Sequence, residues 1–138
     1  IGPLVAPGGR LHEARRAVAE ACAASPHLEL RVPDGALYAF PGVVGPAARG
    51  FDDHAFALEL METEHVLVVP GSSFNVPCRN HFRVTLLPEP EQLREVFRRI
   101  DRVLSRRAGA TAGTPATSAS GSVDGARRHA ATSATATA

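Results

Sequence analysis

The sequence predicts an α/β domain of the two-layer (α+β) kind, with elements in the order α-β-β-α-β-β-α. Two segments carry apolar residues at helical spacing. Leu11, Ala14, Val18, Ala21 and Cys22 form one stripe, and Leu93, Val96, Phe97, Ile100, Val103 and Leu104 form another. Between them lie short apolar or alternating runs punctuated by proline and glycine, the pattern of brief strands. Helices that bury one stripe need a partner layer, and a small sheet supplies it.

The first helix is expected from about Arg10 to Ala24, ended by Ser25-Pro26, because the residue before a proline is pushed out of the helical region. Leu28 to Val32 alternates as a short strand, Pro33-Asp34-Gly35 is turn chemistry, and Ala36 to Phe40 reads as a second strand. The segment 28–40 is therefore expected to be a hairpin. Pro41 to Gly50, with three glycines and two prolines, is expected to be loop. Asp52-Asp53 should open a helix reaching about Glu64, placing carboxylates at its positive end. Val66 to Val69 is an apolar strand stopped by Pro70-Gly71, and Ser72 to Arg79 is loop. Asn80 to Leu87 is a strand with Phe82, Val84 and Leu86 on one face and His81, Arg83, Thr85 and Leu87 on the other. Pro88-Glu89-Pro90 marks the start of the last helix.

Composition changes after Arg107. Of the 31 residues from Ala108 to Ala138, 25 are Ala, Thr, Ser or Gly, too little apolar bulk to offset the entropy of ordering them. The expectation is one domain over 1–107 and a disordered tail over 108–138. No internal repeat is present.

The totals exclude more than they select. The 138 residues carry a formal charge of +1, so net charge favours no partner. No apolar run approaches the roughly 20 residues of a membrane helix, and no secretory leader pattern opens the sequence. Ile1 is not expected to be a natural start, since the one methionine is Met61. Cys22 and Cys78 form no close-spaced motif and are expected to be free thiols in a reducing cytoplasm. All 15 cationic side chains are arginine. With no lysine, this chain alone cannot form a Schiff base.

Several motifs reduce to structural readings. The last helix carries Arg94, Arg98, Arg99, Arg102, Arg106 and Arg107, a candidate nucleic-acid or membrane face. Over 1–107, however, 13 arginines meet 13 acids, and Glu91, Glu95 and Asp101 fall at helical spacings that lace such a face. Neither nucleic acid nor membrane is expected as a partner. Gly71-Ser72-Ser73 follows a strand as a phosphate loop does, but Phe74-Asn75-Val76-Pro77 starts no helix to converge its N–H groups on an anion. The histidines at 12, 27, 54, 65, 81 and 129 make no pair at ligand spacing, so no metal is expected. Neither GxSxG nor any nucleophile–base pair is present. Arg83, in the middle of an apolar strand, is different. A guanidinium there must be wet or paired, and its planar fork suits a carboxylate. Strand pattern alone favours a solvent-facing arginine.

The longer segment adds to this. Val68-Val69-Pro70-Gly71-Ser72-Ser73-Phe74-Asn75-Val76-Pro77 followed by His81-Phe82-Arg83-Val84-Thr85-Leu86-Leu87-Pro88 resembles the C-terminal domain of class I and II pyridoxal-phosphate-dependent aminotransferases, in their alanine aminotransferase branch. Pro7-Gly8-Gly9-Arg10-Leu11 and Gly35-Ala36-Leu37-Tyr38-Ala39-Phe40-Pro41 resemble further segments of that family in the same order, so the likeness covers 1–107. It implies the small domain of fold type I enzymes, with Arg83 binding the substrate α-carboxylate. It also implies Asn75 as a loop residue near the site and Tyr38 as a candidate pocket-lining residue. The implied reaction moves an amino group between an L-amino acid, alanine by branch, and a 2-oxo acid. The implied cofactor is pyridoxal 5′-phosphate, and the implied assembly is a homodimer. The cofactor's lysine and its other ligands belong to a larger domain that this sequence lacks, so no catalytic or cofactor-binding residue is expected here. The alternative is an orphaned, non-catalytic small domain without transaminase activity.

Overall fold

The computed structural model describes residues 2–35 and 37–112. A short helix α1 (Gly2–Val5) precedes α2 (Arg10–Ala24), whose limits are those expected. Three two-residue strands follow: β1 (Leu28–Glu29), β2 (Tyr38–Ala39) and β3 (Gly42–Val43). A 3₁₀ turn (Gly45–Ala48) leads to α3 (Asp53–Glu64). Then come β4 (Val69–Pro70), a second 3₁₀ turn (Gly71–Phe74), β5 (Phe82–Thr85) and α4 (Pro90–Ala112). The two-layer α+β reading holds.

The expected 28–40 hairpin does not form. β1 pairs antiparallel with β3, Leu28 opposite Val43. β2 pairs with β5, Tyr38 opposite Thr85 and Ala39 opposite Val84. The reason is burial. Leu28, Val43, Ala39 and Val84 all join one core, whereas Val32, which a local hairpin would have to pair, is exposed. Pairing across the core removes more apolar surface than closing the nearby turn. The loop expected over 41–50 accordingly contains β3 and a 3₁₀ turn. The larger sheet runs β2-β5-β4, with Val69 opposite Arg83. A single bridge, Gly42 to His81, ties the two sheets together.

The core collects Val18 and Cys22 from α2, Phe56 and Leu60 from α3, and Phe82, Val84 and Leu86 along β5. Leu93, Phe97, Ile100, Val103 and Leu104 come from α4. Ala14 and Ala17 on the inner face of α2 are fully buried and let that helix lie close along α4. Asp52 caps α3 as expected, its Oδ1 accepting from the Ala55 N–H at 2.9 Å.

The arginine face of α4 is occupied by acids. Arg94 meets Glu91 at 2.6 Å, and Arg98 and Arg99 meet Glu95 at 3.1 and 2.9 Å. Arg102 and Arg106 converge on Glu64 at the end of α3, at 2.8 and 3.3 Å, and Arg107 meets Glu59 at 2.7 Å. The Arg102 hydrogen bond, with help from Arg106, holds the Glu64 carboxyl below its usual range. α4 runs five residues past Arg107 to Ala112. The alanines there, a helix-favouring residue, extend the element into what composition reads as tail. The remainder of the 108–138 expectation lies outside the described residues.

Candidate functional site

β5 builds the site by alternation. Phe82 and Val84 turn inward and are buried, which turns Arg83 to the opposite face, where it is half-buried. Two elements then close on it. Tyr38 sits opposite Thr85, so it is the diagonal neighbour of Arg83 on the same face. Its ring lies 4.3 Å from the Arg83 Cζ. From the other neighbour, β4, the chain turns through Gly71–Phe74 and brings the Phe74 ring to 4.5 Å from the same carbon. A guanidinium over an aromatic face is worth about 0.5–1 kcal/mol at a partly exposed position. Arg83 has two such contacts.

The guanidinium edges are unspent. Among the described residues, no carboxylate lies within ion-pair distance of Arg83, and it donates no hydrogen bond to them. Arg31, Arg49 and Arg79 are equally unpaired there, but all three are exposed. Arg83 thus combines partial burial, two aromatic neighbours and N–H groups without a partner among the described residues, and a planar fork of that kind has the shape to pair with a carboxylate.

The loop that delivers Phe74 is pinned at both ends. The Gly71 N–H donates to the His81 carbonyl at 2.9 Å, and a Cβ on Gly71 would stand 2.5 Å from that oxygen. The Ser72 N–H donates to buried Asp53 Oδ2 at 2.7 Å. Burial pushes the Asp53 carboxyl up, but the Ser72 N–H and neighbouring His54 outweigh it and hold it below its usual value. At the far end, Asn80 Nδ2 donates to the Val43 carbonyl at 2.8 Å, and Val43 N–H donates to the Asn80 carbonyl at 2.7 Å. Since the Asn80 amide nitrogen is committed to that carbonyl, its Oδ1 accepts from His81 Nδ1 at 2.9 Å. His81 stacks on Phe40, with centroids 5.2 Å apart, and Phe40 meets Phe74 edge to face at 6.0 Å.

Of the residues singled out from sequence, Arg83 and Tyr38 are brought together. Asn75 is exposed and ends the 3₁₀ turn at φ 55°, a left-handed position asparagine tolerates better than most residues. No hydrogen bond joins it to Arg83 among the described residues. Phe74, Phe40 and Asp53 were not anticipated. Alternation marks which way Arg83 points, but only the long-range pairing of β4 with β5 reveals that Phe74 returns to it.

Comparison with known proteins places the chain in a family. The family model "Aminotransferase class I and II" matches residues 8–100, and the chain belongs to that family. It is 34% identical over 105 residues to the glutamate-pyruvate aminotransferase of Escherichia coli K12, covering 76% of this chain and 26% of that protein. It is 36% identical over 104 residues to the alanine aminotransferase of Mycobacterium tuberculosis H37Rv, covering 75% and 24%. Among solved structures, an aminotransferase from Escherichia coli superposes with a TM-score of 0.71 at 34% identity, over 75% of this chain and 26% of that one. The alanine aminotransferase of Pyrococcus furiosus gives 0.62 at 33% identity, over 70% and 24%. The chain spans about a quarter of the length of these relatives.

Aminotransferases of this class are generally pyridoxal 5′-phosphate enzymes. The donor set of this chain does not fit that cofactor by itself, because it holds no lysine to form the covalent link. No helix among the described residues is long and apolar enough to cross a membrane.

Proposed function

We propose that residues 1–107 are the small domain of an alanine-type aminotransferase and that Arg83 receives the α-carboxylate of its amino acid and 2-oxo acid substrates. The observation that carries this is the state of Arg83: half-buried, flanked by Tyr38 and Phe74, and without an acidic partner among the described residues. A half-buried arginine with no acidic partner has its planar fork free, and a bidentate carboxylate completes it. Two parallel hydrogen bonds from one planar fork fix the plane of the carboxylate, and with it the direction of the bonds at the adjoining carbon. The chemistry at that carbon belongs to residues and a cofactor that this chain does not supply. The working assembly is a cytoplasmic homodimer whose subunits also carry the lysine-bearing portion.

Two measurements test the reading. The purified 138-residue chain, supplied with pyridoxal 5′-phosphate, alanine and 2-oxoglutarate, forms no pyruvate; turnover would overturn the division of labour. With the chain joined to a lysine-bearing cofactor domain, Arg83→Lys keeps the charge but loses the fork, and kcat/KM for amino acids falls about 10- to 100-fold, the loss of one or two charge-assisted hydrogen bonds. An unchanged kcat/KM would remove Arg83 from the substrate site.

The absence of lysine also fits a second reading, an orphaned small domain that binds carboxylates and catalyses nothing. Whether a lysine-bearing domain accompanies this chain in its native product decides between them.

A further inference from the structure

The geometry points to Tyr38 and Phe74 as positioning residues that act as an aromatic clamp of two rings, presetting the Arg83 guanidinium so that its N–H rim is ready for a carboxylate. This rests on Arg83 being the carboxylate receptor. The Arg83 Cζ lies over the faces of both rings, at 4.3 Å from the Tyr38 centroid and 4.5 Å from that of Phe74. The rings come from different elements, β2 and the turn after β4, while Arg83 sits on β5 between those two strands. The contacts are therefore built by the sheet order and not by chance proximity along the chain.

A guanidinium presents two faces and one rim of N–H donors. Contact with the rings spends none of the N–H donors, so the rim stays open. A planar carboxylate lying in the guanidinium plane meets two donors at once. Arginine also loses much rotational freedom when it binds, and a side chain already held by its faces has less to lose. Phe74 is in turn held edge to face by Phe40. Tyr38 is 44% and Phe74 36% exposed, so neither ring is sealed in the core. Core packing therefore does not account for their place beside Arg83, which is left to a functional explanation.

The test uses the 138-residue chain labelled with ¹⁵N-arginine. In the native chain, Arg83 Nε–Hε resonates upfield of the exposed Arg31, Arg49 and Arg79, shifted by the two rings, and shows a higher order parameter than they do. Tyr38→Phe keeps both signatures. Tyr38→Leu and Phe74→Leu each reduce them, and the double variant removes them, with far-UV circular dichroism unchanged. Acetate serves as the carboxylate probe, and its dissociation constant at Arg83 rises roughly 2- to 10-fold in the double variant, the range that freezing one long side chain costs. Arg83 signals in the native chain indistinguishable from those of Arg49 would overturn the clamp. So would signals that survive loss of both rings, or an acetate affinity the double variant leaves unchanged. A native Arg83 that is shifted and ordered yet indifferent to acetate would instead overturn the carboxylate reading and leave the clamp a packing feature only.

Discussion

Gly71→Ala is the substitution whose consequence the structure sets out most fully. The added Cβ would lie 2.5 Å from the His81 carbonyl oxygen, 3.0 Å from its carbon and 3.1 Å from Phe40 Cζ. Ordinary contact begins near 3.4 Å, so the two backbones must part by close to an ångström. They are not free to part: the Gly71 N–H donates to that same oxygen, and β4 is paired with β5 through Pro70 and Phe82 next door. Overpacking of this kind costs about 1–3 kcal/mol, and loss of the hydrogen bond adds about 0.5–1.5 kcal/mol. A total of about 2–4 kcal/mol lowers the melting temperature of a domain this size by roughly 10–25 °C. Urea unfolding followed by circular dichroism measures it. The same displacement carries Phe74 away from Arg83, so the ring-shifted Arg83 signal should weaken even in the surviving folded fraction. A Gly71→Ala variant within about 0.5 kcal/mol of the native chain, a change typical of innocuous surface substitutions, would refute the claim that this loop is held at a fixed distance from β5.

Glu64 makes stability depend on acid. Its folded-state carboxyl is held below the ordinary value of 4.5 by Arg102 and Arg106, so it contributes stability above that value and loses it as the pH falls through the lowered one. Glu64→Gln should flatten this acid limb relative to the native chain while leaving α4 helical; parallel pH–stability curves would show the network contributes nothing. The cysteines should separate by chemistry. Burial pushes the Cys22 thiol up to about 12, whereas Cys78 is exposed. Iodoacetamide at mildly alkaline pH should add one group to the native chain and two to the denatured chain, by intact mass. Two rapid adducts on the native chain would mean α2 opens readily.

Where an element follows from its own residues, the sequence reading and the structure coincide. The Ser25-Pro26 stop places the end of α2 at Ala24, Asp52 caps α3, and alternation puts Phe82, Val84 and Leu86 in the core with Arg83 on the other face. Where an element depends on a distant partner, they part. Leu28 and Tyr38 look like two arms of one hairpin because the turn between them is good turn chemistry, yet their partners are Val43 and Thr85. The end of α4 is misread for a compositional reason: alanine signals low complexity and high helix propensity at once, and contacts with the turn at 45–48 favour the helix. The site is legible only in its anchor. Arg83 stands out as a fork on a core strand, and the family resemblance of its segment implies the role proposed for it. Phe74, nine residues before it in a glycine-serine loop, carries no sequence sign that it folds back onto the guanidinium.

The most direct test of the account is an acetate titration of the ¹⁵N-arginine-labelled chain at constant ionic strength, with chloride as the control anion. The account predicts a saturable shift at the Arg83 side-chain N–H groups, absent with chloride and lost in Arg83→Lys, while the arginines paired with Glu64 and Glu59 stay still. A response shared evenly by all exposed arginines, with Arg83 no different, would contradict it.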